Sequence, residues 1–99
     1  MLYVIVGRDV ADSLDKRARV RSEHLGRLEA LCHAGRLLTA GPLPAIDSPD
    51  PGPAGFVGSL VVAEFPSLDE AVAWAEADPY IHSGAWHSAE VHPYKAVLP

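Results

Sequence analysis

The spacing of apolar residues changes period several times along this chain, and each change marks a new element. Leu2 to Val6 is a continuous apolar run rich in β-branched residues and closed by Gly7. That pattern predicts a strand buried on both faces. Leu14, Ala18, Leu25, Leu28 and Cys32 then recur at spacings of three, four and seven. They form one stripe of a helix that Asp12 or Ser13 can cap. Arg21 falls in the middle of this stripe, while Val20, His24 and Leu31 flank it. Arg19, Glu23, Arg27 and His33 are placed toward solvent, and Ala34-Gly35 ends the helix.

Arg36 to Ala40 reads as a second strand, closed by Gly41-Pro42. Residues 42 to 55 hold five prolines together with Asp47, Ser48 and Asp50, and read as a loop within the domain. Val57 to Phe65 is a third strand, with Leu60 and Val62 on one face and Val61, Ala63 and Phe65 on the other. Ser67-Leu68-Asp69-Glu70 is a capping-box signature that starts a second helix running to about Ala77. Pro79 blocks its continuation and pushes Asp78 out of helical geometry. Trp86 to Val97 is a last strand, kinked or at an edge because of Pro93.

The order β-α-β-β-α-β specifies an α+β chain with the ferredoxin-like arrangement: a four-stranded antiparallel sheet with two helices on one face. Residues 1–99 form one domain. Two helices cover one face only, yet strands one and three are apolar on both. The simplest cover for the other face is an identical sheet, so a homodimer through the sheet face, or a higher homo-oligomer, is expected.

Composition sharpens this expectation. The chain is 48% hydrophobic and only 21% charged, more apolar than so short a chain can bury alone. The net charge is −5, and the basic residues Lys16, Arg17, Arg19 and Arg21 are flanked by acids, so nucleic acid is not an expected partner. The single cysteine, Cys32, allows no intramolecular disulfide and no cysteine-based metal site, and reads as a small core residue in a reducing cytoplasm. Met1 leads straight into a strand without a basic leader, and no apolar run approaches the ~20 residues of a membrane span.

Two residues stand out chemically. His24 lies beside the helical stripe, and Asp78 sits where the second helix must stop. The ferredoxin-like topology brings both regions to one end of the sheet. A histidine and a carboxylate meeting there form a general acid/base dyad. Taken singly, each also has an ordinary reading, His24 as a packed histidine and Asp78 as a turn former. Tyr80 adds a second hydrogen-bonding group beside Asp78. Thr39-Ala40-Gly41-Pro42 supplies small residues past which a ligand can approach the backbone, and Ser59 places a hydroxyl nearby. Arg21, if buried, needs a carboxylate or an anionic ligand, or else snorkels to water. His82, His87 and His92 are spaced by five, which puts neighbours on opposite strand faces, so no metal site is expected. No phosphate-cradling glycine loop is present, and no cofactor is expected.

Several of these motifs together resemble the YciI-like family along essentially the whole chain. They are Leu2-Tyr3-Val4-Ile5, Arg21 with His24-Leu25, Gly35 through Leu43, Gly58-Ser59, Ala75-Glu76-Ala77-Asp78-Pro79-Tyr80 and His92-Pro93-Tyr94-Lys95. That resemblance implies the fold of the dimeric α+β barrels, which include muconolactone isomerase-like enzymes and small cofactor-free monooxygenases. It implies a homodimer and a His–Asp pair that maps onto His24 and Asp78. It also implies chemistry like that of a relative which eliminates chloride from a ring compound derived from a chlorinated aromatic. Most members of that family have no assigned substrate.

Three readings follow from the sequence. The first is a cofactor-independent enzyme in which His24 moves a proton on a small cyclic or aromatic-derived acid. Asp78 orients the imidazole, while Arg21, Gly41, Pro42, Ser59 and Tyr80 hold the substrate. Elimination, isomerisation or lactone-type chemistry would suit that set. The second is a small-molecule binding or regulatory dimer without turnover, and the third is a purely structural dimer. A small-molecule ligand separates the first two from the third.

Overall fold

A computed structural model describes all residues from Met1 to Pro99. Four strands form one antiparallel sheet in the order β2-β3-β1-β4: β1 (Leu2–Asp9), β2 (Leu37–Pro44), β3 (Phe56–Glu64) and β4 (Trp86–Tyr94). Helices α1 (Leu14–His33) and α2 (Leu68–Glu76) and a short helix α3 (Pro79–His82) complete the α+β ferredoxin-like architecture.

Register fixes which side chains meet the helices. Tyr3 pairs with Ala63 and Ile5 with Val61, and on the other flank Val91 stands opposite Ile5. These residues share the face that packs against Leu28 and Leu31 of α1 and Ala71 and Ala75 of α2. The alternation expected in the third strand is therefore present, with Val61, Ala63 and Phe65 in the core. Leu60 and Val62 turn to the opposite face with Val4 and Val6, on which no helix packs.

Strand boundaries differ from expectation for physical reasons. β1 continues through Gly7 to Asp9, because Gly7 is a point of close approach rather than a stop. A Cβ there would lie 2.3 Å from Cε2 of Trp86, whose indole crosses the strand. β2 continues through Gly41-Pro42 to Pro44, so the loop is shorter than 42–55. This is an edge strand, where a proline's missing N–H need not break a ladder. β4 is the other edge, which accommodates Pro93, and it stops at Tyr94 rather than Val97.

Helix ends follow the local chemistry. α1 ends in a Schellman motif: Gly35 has φ +71°, its N–H donates to Cys32 O, and the Arg36 N–H donates to Leu31 O. Ser67 accepts from the Glu70 N–H and caps α2. Ser13 stands at the start of α1 but does not cap it; its hydroxyl donates to Asp9 instead.

The larger correction concerns the rotation of α1. Its buried residues are Arg17, His24, Leu28 and Leu31. Cys32, expected in the core, is exposed. Leu14 and Ala18 are also exposed, and so is Arg21. The inward face is turned by roughly 80° from the apolar stripe, taking 100° per residue. Polar side chains occupy it because partners on the sheet and at the turn between α2 and α3 satisfy them.

Packing at two glycines yields a direct test. Gly7→Ala should lower stability by about 1–3 kcal/mol, the range for overpacking a fixed ring. Gly26, mid-helix with no atom within 4 Å of an added Cβ, should behave oppositely. Gly26→Ala is expected to raise stability by about 0.8–1 kcal/mol. Urea midpoints at matched protein concentration measure both.

Candidate active site

Asp78 is where the chain turns from α2 into α3. Its backbone is extended (φ −63°, ψ 135°), as the following proline requires, and Pro79 occupies the first helical position. This geometry sends the carboxylate back over the turn, where Oδ1 accepts the Tyr80 N–H at 2.9 Å. The side chain is wholly buried.

His24 reaches it from α1. Its Nδ1 lies 2.9 Å from both Asp78 oxygens, across 54 positions of sequence. A carboxylate only accepts, so Nδ1 carries the hydrogen and Nε2 is left with a free lone pair in the neutral ring. The imidazole is fixed by aromatic neighbours. Tyr80 stacks on it with centroids 4.1 Å apart and planes 16° apart. Trp86 meets it edge-on at 5.7 Å, and the indole in turn lies against Gly7.

A third group holds Asp78. Arg27 Nη1 donates to Oδ2 at 3.2 Å, Nη2 donates to the Trp74 carbonyl at 2.7 Å, and the guanidinium lies over the Trp74 ring. The sequence placed Arg27 toward solvent. It instead bridges α1 to the end of α2, and helical periodicity carries no signal for that.

His24 lines a cavity of about 130 Å³ between α1 and strands β2 and β3. Of the residues singled out in the sequence, Arg21, Gly41, Pro42, Ser59 and Tyr80 line it too, and Asp78 stands behind His24. Thr39 does not; it pairs with Val62 on the opposite sheet face. Leu25, Leu28, Ala40 and Val61 supply apolar wall, and no carboxylate lines the space.

Arg17 also lines the cavity, and the sequence reading did not single it out. It is buried, and its Nε and Nη2 bind both oxygens of Asp9, at 2.7 and 2.8 Å. Nη2 also approaches Gly58 O and Ser59 Oγ, each at 2.9 Å. The guanidinium lies 4.9 Å from the centre of the Tyr80 ring. The available signal was the spacing of Arg17, Arg21 and His24, at i, i+4 and i+7, which shares one helix face. Burial pushes the Tyr80 phenol above its ordinary value, with Arg17 and Arg21 pulling the other way, so it keeps its proton at neutral pH and can donate a hydrogen bond.

A profile of the YCII-related domain family matches residues 1–95. Protein YciI of Escherichia coli is 60% identical over 98 residues, covering 99% of this chain and 100% of the relative. An uncharacterised protein of Haemophilus influenzae is 48% identical over the same shares. Among solved structures, 5-chloro-2-hydroxyhydroquinone dehydrochlorinase from Burkholderia phenoliruptrix, in complex with 2,5-dihydroxybenzoquinone, is similar with a TM-score of 0.82 at 27% identity. The match covers 96% of this chain and 94% of that one.

Removing the carboxylate charge tests the site's architecture. Asp78→Asn can still accept the Tyr80 N–H but no longer offers charge to His24 and Arg27. Loss of roughly 2–4 kcal/mol is expected, since charged groups lose partners in a buried setting. Thermal unfolding measures it. Long-range ¹H–¹⁵N spectra of the wild type should show His24 protonated at Nδ1 when neutral, and Asp78→Asn should mix the tautomers.

Proposed function

The chain belongs to the YCII-related domain family, and from that premise we propose that it is an acid/base enzyme acting on a small, acidic, hydroxylated ring compound. One observation carries this reading: His24 is locked by Asp78 with its Nε2 free, beside a cavity lined by two arginines and no carboxylate. Proton abstraction with departure of an anionic leaving group suits the set, as does proton relocation in an isomerisation. The related dehydrochlorinase makes elimination of chloride from a chlorinated hydroquinone the first reaction to try.

Each group has a defined task. His24 Nε2 takes the proton, and Asp78 holds Nδ1–H and stabilises the imidazolium that results. The Tyr80 phenol, kept protonated by burial, donates to the oxygen on which charge collects. Arg21, which makes no ion pair, attracts the anion to the mouth. Gly41 and Pro42 let the ring lie close to the edge strand, and Ser59 closes the inner wall.

A homodimer belongs to the same proposal. Val4, Val6, Leu60 and Val62 share the sheet face that no helix covers. A second copy packed there would give the dimeric α+β barrel. Sedimentation at micromolar concentration should give twice 10.6 kDa, and Val4→Glu should shift the equilibrium to monomer. A wild-type monomer throughout would refute the dimer.

Activity is tested with a panel of chlorinated hydroquinones and related hydroxylated rings, following chloride release and product by NMR. His24→Ala should lower turnover about 10²- to 10⁴-fold, the usual span for a general base. Undiminished turnover in His24→Ala would end the dyad proposal. Binding without product at any pH would make the cavity a ligand-binding site alone.

A further inference from the structure

We infer that Arg17 is the deep anchor of this cavity, binding an oxygen anion of the ligand through Nη1, so that the site takes a single ring carrying two anionic oxygens. The inference rests on the acid/base reading above but is tested through binding rather than turnover.

Arg17 is a guanidinium with a 7% exposed residue around it. Its Nε and Nη2 are committed to Asp9, Gly58 O and Ser59 Oγ. Nη1 takes part in none of these bonds, with the Tyr80 phenol as the guanidinium's other polar neighbour, and it is not among the buried polar atoms sealed off without a partner. It therefore stays accessible, and the space that Arg17 lines is this cavity. Asp9 grips the guanidinium bidentately, and Tyr80 and Phe56 lie against it at 4.9 and 5.0 Å. A free donor on so fixed a fork is preorganised for an oxyanion, with no side-chain freedom to lose on binding.

Charge points the same way. Asp9 neutralises Arg17, and Arg21 one helical turn further on has no ion-pair partner. The cavity thus offers one inner donor fork and one uncompensated cation at the mouth, with His24 on the same helix face. A ligand with an oxygen anion at each end satisfies both arginines and presents its ring to Nε2. The volume limits that ligand to one ring: about 130 Å³ is close to a cavity of about 150 Å³ that holds benzene.

The probes are 2,5-dihydroxybenzoquinone, a ring with two acidic oxygens, and hydroquinone, a ring of similar size that is uncharged at neutral pH. Both are titrated into the wild type and variants, with heats and ¹⁵N-labelled arginine side-chain signals recorded. The quinone should bind more tightly than hydroquinone and shift the Arg17 Nη signals. Arg17→Lys keeps a cation for Asp9 but lacks the fork. It should remain folded and bind the quinone roughly ten- to a hundredfold more weakly, a larger loss than hydroquinone suffers. Should Arg17→Lys fail to fold, the wild-type Nη shift and the preference for the quinone decide the matter.

The inference is overturned if folded Arg17→Lys binds the quinone like wild type, or if it loses both probes equally. It is also overturned if the wild type binds neither probe at millimolar concentration, or if the Arg17 signals do not move. None of these outcomes depends on turnover. The catalytic reading stands or falls separately, on His24→Ala.

Discussion

A carboxylate with no solvent exposure has to be surrounded by donors, and in this protein that requirement ties the helical layer together. Asp78 receives His24 from α1, Arg27 from one turn further along α1, and the Tyr80 N–H from its own turn. Its backbone carbonyl accepts the Ile81 N–H, which starts α3. Burying an unpaired charge would cost several kcal/mol, so each of these partners must stay where it is. The separation between α1 and the end of α2 is thus set by hydrogen-bond lengths as well as by packing. The geometry of His24 is a consequence.

An aromatic pedestal extends this constraint into the sheet. Gly7 leaves room for the Trp86 indole, Trp86 meets both Tyr80 and His24 edge-on, and Tyr80 stacks on the imidazole. A glycine in a central strand weakens it locally. Here it lets a β4 side chain support a residue of α1. The imidazole is held by a carboxylate at one nitrogen, by one stacked ring and by a second ring set edge-on, leaving Nε2 as its unbound polar atom. Preorganisation of this kind lets a side chain react without first being ordered.

Much of this arrangement was legible in the sequence, and what was not has a common cause. Asp78-Pro79 announces an extended residue at a helix end whatever the surroundings, and Gly35 announces the end of α1. Strand three declares its two faces by alternation. These are local rules that tertiary contacts leave alone. The rotation of α1 is different, because a hydrophobic stripe reports only apolar burial. Arg17, His24 and Arg27 turn inward because Asp9, Asp78 and the Trp74 carbonyl await them. Those partners lie 8, 54 and 47 positions away. Cys32 is exposed for the same reason: rotating the polar residues in rotated it out. The extension of β2 past Gly41-Pro42 was hidden because a proline stops an interior strand but not an edge one. Whether an edge lies there is settled only by the whole sheet.

Charge accounting links the buried carboxylate to the proposed chemistry. Asp78 and Arg27 form one compensated pair behind the imidazole, and Asp9 and Arg17 form another at the inner wall. Arg21 is then an uncompensated cation among the lining residues. Protonating His24 would add a second positive charge to a cavity that holds no carboxylate of its own. Within the protein that imidazolium has only Asp78, already shared with Arg27. A substrate that becomes more negative as its proton leaves supplies the missing charge beside Nε2, as the proton arrives. Under the proposed function, transfer from a bound acid creates the ion pair that the lining residues alone do not supply.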